Sequence, residues 1–327
     1  MSNSRSHDVA PTGRPRVIFF GMQGAFSLPV FSALLASGYE ICAVVLPSVP
    51  VPGQLSPPIR LREPPASTRS ARFVLPMAGR STPHALLQLA WERHIPVWEV
   101  SRLAHAETLT MLRSLQPDVI CVACFPLRIP PAVLHLPRFG CLNVHPSLLP
   151  ANRGPEPLFW TFRHGVLMTG VTIHVMNEGM DSGDILAQEQ IAVPDGISYA
   201  ELEMHCAQLG GQLLTRAISD LVAGRAHRQP QDESLSSYYP FPLHEDFVVQ
   251  LALWSARHVY NFIRGVGHWD EPIVLDMGEQ QLIIRDVISY SRETMSKTSM
   301  PPHLLMEQVE GHMRVYCSDG WVEVYKG

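Results

Sequence analysis

The chain has 327 residues, 25 Lys and Arg against 30 Asp and Glu, and a formal charge of −5. Its length predicts two domains at ~150 residues each, and 46% hydrophobic with 17% charged residues excludes an intrinsically disordered chain. The acidic balance excludes a generally cationic nucleic-acid coat but leaves room for a local basic patch.

Residues 1–15 read as a polar, disordered tail without the apolar core of a secretory signal. No later run approaches the roughly 18 apolar residues a bilayer span needs, so a cytoplasmic protein without a membrane partner is expected. Arg16 to Phe20 (RVIFF) is a short apolar run ending at Gly21, the pattern of a strand buried on both faces. Leu28, Phe31, Leu34 and Leu35 follow at helical spacing, Gly38 stops the helix, and Ile41 to Leu46 forms a second buried strand. Strand, helix and strand within about thirty residues make a βαβ unit, hence a parallel sheet with right-handed crossovers.

Seven of the nineteen residues from Pro47 to Pro65 are proline, and Arg60, Arg62, Arg69 and Arg72 lie in or just after this stretch. Proline fixes φ and removes a donor, so a long surface loop without regular structure is predicted here. Helices are expected at Pro83–His94 and Ala104–Leu115, and strands at Asp118–Ala123 and Gly140–Val144. Thr169 to Val175 alternates as a strand, with Ile185 to Val193 as its antiparallel partner. Ser198 caps a helix running to about Ala223, with Glu201 completing a capping box. Arg225 to Pro242 reads as a linker. Beyond it, one helix (Ser255–Arg264) and short stretches at Ile273–Asp276, Gln281–Val287, Met313–Cys317 and Trp321–Tyr325 predict a small β-rich module.

Gly21-x-x-Gly24 sits where a phosphate-binding turn would lie, but it lacks a third glycine and no acidic residue ends the second strand. A tight turn feeding a helix is the better reading. Cys121-x-x-Cys124 ends a buried strand without a second ligand pair, so its thiols read as small hydrophobes rather than a zinc or redox site. The six unevenly spaced cysteines suit a reducing compartment. Asn143 and His145 lie two apart at a strand end, so both project to one face, and Pro146 turns the chain at the sheet edge where open α/β folds build sites. Either alone suits a structural role; together they form a candidate catalytic pair. Asp181, between Gly179 and Gly183, is either an Asx turn or a carboxylate brought close to another loop. Asp184 reads as a turn residue.

Asn143-x-His145, the loop Ser147–Pro150, Arg153-Gly154, Thr169–Thr172 and Met180–Asp184 together resemble the formyltransferases that use 10-formyltetrahydrofolate. The resemblance runs from Arg16 to Gly224. A weaker one continues through Gln231–Ser234 into a C-terminal module similar to the small β-barrel domain of methionyl-tRNA formyltransferase. It implies an α/β fold, a Rossmann-like doubly wound, mostly parallel sheet with a small barrel-like C-terminal domain. The implied division is a catalytic domain at 16–224 with a Pro/Arg-rich insertion at 47–80, a linker at 225–242 and the module at 243–327. The implied catalytic residues are Asn143, His145 and Asp181. The folate would meet Phe125, Pro126, Leu127, Ile129, Ser147, Leu148, Leu149 and Pro150, and the acceptor Gly24, Phe26, Arg153 and Gly154.

The resemblance implies a folate formyl donor, no metal, and a primary amine as acceptor: methionyl-tRNA, or a small-molecule amine such as an amino sugar nucleotide. Water in the amine's place would make a hydrolase. A monomer or weak dimer is expected. The sequence departs from typical members in the 47–80 stretch, which has no lysine, in Phe125-Pro126, and in ending at Lys326-Gly327 without a basic tail; Lys297 is the only other lysine.

Overall fold

The computed structural model describes residues 14–48, 56–65, 85–278, 280–292, 306–309 and 311–325. In chain order the elements are β1 (Arg16–Gly21), α1 (Ser27–Ala36), β2 (Glu40–Pro47), β3 (Ile59–Leu61), α2 (Ala85–Glu92), β4 (Val97–Val100), α3 (Ala106–Ser114), β5 (Val119–Ala123), α4 (Pro131–Leu134) and β6 (Cys141–His145). They continue with α5 (Pro157–Arg163), β7 (Met168–Val175), β8 (Ile185–Ala192), α6 (Tyr199–Val222), β9 (Val248–Gln250) and α7 (Ala256–Val266). The last six are β10 (Ile273–Asp276), β11 (Gln281–Ile284), β12 (Val287–Ser291), β13 (Met306–Val309), β14 (His312–Tyr316) and β15 (Trp321–Tyr325).

One eight-stranded sheet has the order β3-β4-β2-β1-β5-β6-β7-β8. Strands β4, β2, β1, β5 and β6 are mutually parallel, whereas β3 runs antiparallel to β4 and β7 antiparallel to β6. The strand order reverses between β1 and β5, the switch point of a doubly wound sheet. Val17 to Phe20 and Val119 to Ala123 are buried because helices and loops cover both faces of a parallel sheet.

The prolines between 47 and 65 do not exclude regular structure. Ile59–Leu61 pairs with β4 as an edge strand because this short run contains no proline. Arg60 and Arg62 both bind the carboxylate of Glu99, which is buried on β4. Two of the arginines expected on an open loop are therefore held by a buried carboxylate, which would be left uncompensated without them. Arg69 and Arg72 lie outside the described residues. Strand β4 itself escapes a pattern search because VWEV places a glutamate among apolar residues.

The chain forms two compact units. One comprises Met1–Pro150, Val171–Glu189 and Met204–Leu235; the other comprises Ala151–Gly170, Gln190–Glu203 and Ser236–Gly327. The first thus takes in most of the expected linker, and Gln229 pairs through its backbone with Ile185. In the second, Phe159 on α5 is fully buried among Phe247, Phe262 and Trp269, with ring centroids 5.0, 5.9 and 5.2 Å away. Two small sheets complete that unit, β11-β10-β9 and the antiparallel β12-β15-β14-β13. The capping box before α6 is formed: the Ser198 hydroxyl accepts from the Glu201 N–H (3.3 Å), and the Glu201 carboxylate accepts from the Ser198 N–H (2.9 Å). Among the described residues, no helix is long and apolar enough to cross a membrane.

Candidate active site

Strand β6 carries Asn143 and His145, and antiparallel β7 lies beside it. The register sets Asn143 opposite His174 and His145 opposite Thr172, so the facing pairs share one side of the sheet. The loop after β7 then brings Asp181 to the same place. Its carboxylate lies 3.8 Å from His145 Nδ1 and 3.6 Å from His174 Nε2, and Asn143 Nδ2 donates to it at 3.4 Å. His145, His174 and Asp181 are 4%, 1% and 9% exposed, so polar interactions among them are little screened by water. The distance from Asp181 to His145 exceeds hydrogen-bond range, so the carboxylate acts on the imidazole here through charge.

The loop from 176 to 183 owes its shape to three local devices. Val175 N–H donates to the Asp184 carbonyl at 2.9 Å and closes it. Asn177 Oδ1 accepts from Gly179 N–H and Ser182 Oγ, both at 3.0 Å, an Asx turn within the loop. Gly183 packs so tightly that a Cβ would stand 1.7 Å from the Val175 carbonyl oxygen, a backbone approach only glycine permits. Asp181 itself takes φ +48°, a left-handed conformation that Asp tolerates better than most residues. The Asx turn of this loop is made by Asn177 rather than by Asp181, whose carboxylate instead approaches the end of β6.

Two residues that sequence reasoning passed over complete the centre. His174 Nε2 contacts Asn143 Nδ2 at 3.2 Å, and its Nδ1 is buried without a hydrogen-bond partner. Thr172 Oγ1 donates to the Ser147 carbonyl (2.7 Å) and accepts from Leu149 N–H (3.2 Å) and Gln188 Nε2 (2.8 Å). It thereby ties the Ser147–Pro150 loop, with its cis Leu149–Pro150 bond, to β7. The available signal was the alternation of TGVTIHV, which puts Thr172 and His174 on one face.

Of the expected folate residues, Ile129 is buried in the core beside β5, with Phe125 and Leu127 packed against it. Phe125 also meets the Phe20 ring at 5.1 Å, whereas Pro126 is exposed. Ser147 and Leu149 are buried, Leu148 and Pro150 half-buried. Among the expected acceptor residues, Gly24 is exposed, while Phe26 is 4% exposed and belongs to the core. Arg153 and Gly154 lie in the second unit, where Arg153 bonds through its backbone to Ser237 and Tyr239. Gly154 adopts φ +119°, with the Tyr239 carbonyl oxygen only 2.1 Å from where a Cβ would be.

Cys121 is buried and desolvation pushes its thiol far up, so it is inert; Cys124 is exposed at φ +56°. Among the described residues, no group of three or more His, Cys, Asp or Glu is arranged to hold a metal ion. The centre sets an amide donor and two imidazoles beside a carboxylate, an arrangement of polar groups suited to an acyl oxygen.

Residues 67–218 match the family described as formyl transferase. A methionyl-tRNA formyltransferase of Syntrophus aciditrophicus (strain SB) is 36% identical over 256 residues, covering 76% of this chain and 72% of that protein. One from Moorella thermoacetica (strain ATCC 39073 / JCM 9320) is 33% identical over 267 residues, 81% of this chain and 77% of the relative. The chain belongs to the folate-dependent formyltransferase family that contains these enzymes.

Solved structures share the fold. The sugar 3N-formyl transferase WlaRD, determined with dTDP and 5-N-formyl-THF, is 14% identical with a TM-score of 0.62 over 96% of this chain and 98% of its own. The N-formyltransferase of Helicobacter canadensis, determined with folinic acid and dTDP-3-aminofucose, is 15% identical with a TM-score of 0.61 over 96% and 99%.

Proposed function

We propose that this chain transfers the formyl group of 10-formyltetrahydrofolate to the amino group of methionyl-tRNA, with Asn143, His145 and Asp181 as the catalytic residues. The observation that carries the reading is the convergence of these side chains, 38 residues apart at the extremes, on one face of β6. The amine nitrogen attacks the formyl carbon, a C–N bond forms and the carbonyl electrons move onto oxygen. Asn143 Nδ2 and the His145 imidazole donate to that oxyanion; a preorganised donor elsewhere contributes about 2.7–4 kcal/mol. Asp181 favours the protonated imidazole and draws the surplus proton from the attacking amine. Collapse breaks the bond from the formyl carbon to N10, which takes up one proton, so the exchange balances without a covalent enzyme intermediate. The half-buried Phe125 and Leu127 supply an apolar surface for the pterin, with Ile129 in the core beneath them, and Ser147–Pro150 the neighbouring loop.

A second reading gives the same donor and triad a small-molecule amine as acceptor. It is favoured by charge: residues 243–327 hold twelve Asp and Glu against seven Lys and Arg. Phosphate neutralisation dominates nucleic-acid affinity, and Arg60 and Arg62 are already held by Glu99. Incubation of the full chain with 10-formyltetrahydrofolate and, separately, charged initiator tRNA, amino sugar nucleotides or water decides between them. Formyl-methionyl-tRNA is the expected product. A formylated sugar nucleotide alone establishes the second reading, and formate without amine makes the protein a hydrolase.

A further inference from the structure

Residues 229–231 follow α6 and run beside the exit of the Asp181 loop. Gln229 exchanges two backbone hydrogen bonds with Ile185, at 2.8 and 2.9 Å. Two residues further on, the side-chain nitrogen of Gln231 donates to the carbonyl oxygens of Asp181 (2.8 Å) and Gly183 (2.7 Å). A primary amide has two N–H groups on one nitrogen, enough to serve both acceptors, and its orientation is dictated because both neighbours are acceptors. These carbonyls bracket the residue after the carboxylate, in a loop whose Asp181 sits at φ +48° and whose Gly183 admits no side chain.

We infer that Gln231 is a positioning residue for the formyl-transfer reaction: its amide fixes the backbone on which Asp181 stands, and so the distance from that carboxylate to His145. The inference rests on the proposed function, since it gives Gln231 its purpose through Asp181. An alanine leaves Asp181 free to drift, whereas a glutamate turns an isosteric donor into an acceptor facing two acceptors.

The test uses the full chain, with formyl transfer measured under saturating acceptor. Gln231→Ala is expected to lower kcat about tenfold to a hundredfold, as for a misplaced catalytic group, with the KM for 10-formyltetrahydrofolate within about twofold of wild type. Gln231→Glu keeps shape and volume. Its kcat relative to wild type is expected to be low at pH 8 and to rise about tenfold towards pH 5.5, because a protonated carboxyl regains one donor. In an Asp181→Ala background, Gln231→Ala should add nothing, since both act through one carboxylate.

A role in stability alone would shift the melting temperature of both variants and leave the pH ratio flat. That result, a kcat within twofold of wild type, or a full second loss in the Asp181→Ala background would overturn the inference. The two readings fail separately. Full activity in Asp181→Ala removes the proposed function, whereas an inactive Asp181→Ala beside a fully active Gln231→Ala removes only the positioning role.

Discussion

His145→Ala is expected to lose about a hundredfold to a thousandfold in kcat/KM, the scale of removing one oxyanion donor. The fold should survive. His145 is the last residue of β6, and the strand's pairing to β5 and β7 runs through backbone groups that alanine retains. The volume lost opens towards the site rather than into the sheet core, where Leu142 and Val144 occupy the other face. The loss should fall mainly on kcat, since the interaction strengthens only as charge develops on the formyl oxygen. Asp181→Ala should follow the same pattern. A variant at either position with near-normal turnover and an unchanged thermal transition would show that these side chains do not carry the chemistry.

Gly183→Ala should act at a distance of two residues and still cost about a hundredfold in kcat, the effect expected of an ångström-scale displacement of a catalytic group. A methyl group placed 1.7 Å from the Val175 carbonyl oxygen cannot be accommodated by a rotamer change, because the obstacle is backbone. The loop must move, and with it the closure from Val175 to Asp184 and both carbonyls that Gln231 holds. Ser182 on the same loop is half-buried, and its hydroxyl supplies one of the two hydrogen bonds that Asn177 accepts. Ser182→Ala leaves the backbone unobstructed and should cost much less, about twofold to fivefold in kcat, and serve as the milder comparison. Thermal denaturation and steady-state kinetics of the two variants check the contrast. Equal, near-normal kcat values would mean that the loop tolerates displacement and that Asp181 is not held to a narrow position.

How far the sequence speaks depends on whether a feature is local. The strand RVIFF declares its burial by composition, and period-two geometry alone puts Asn143 and His145 on one face. Glycines at 179 and 183 announced a backbone under tight constraint, and the structure supplies the obstacle at Gly183. The features that stayed hidden are relational. His174 joins the site because the β6–β7 register sets it opposite Asn143, and nothing in either strand states that register. Arg60 and Arg62 looked like free cations beside prolines until β3 paired with β4 and brought them to Glu99. Phe26, expected from the resemblance to meet the acceptor, has its ring buried in the core. Gln231 lies 50 residues beyond Asp181, in a stretch that reads as linker, and its role depends on two backbone carbonyls.

The most direct test follows the formyl carbon itself. With 10-formyltetrahydrofolate labelled in that carbon and enzyme in excess over donor, a single turnover of the wild-type chain with charged initiator tRNA should place the label in an amide on the amine. His145→Ala and Asp181→Ala should leave it on the folate over the same interval. Label that stays on the folate with wild-type enzyme and every amine offered, or that reaches the amine equally fast in both variants, would contradict the assignment of formyl transfer to these three side chains.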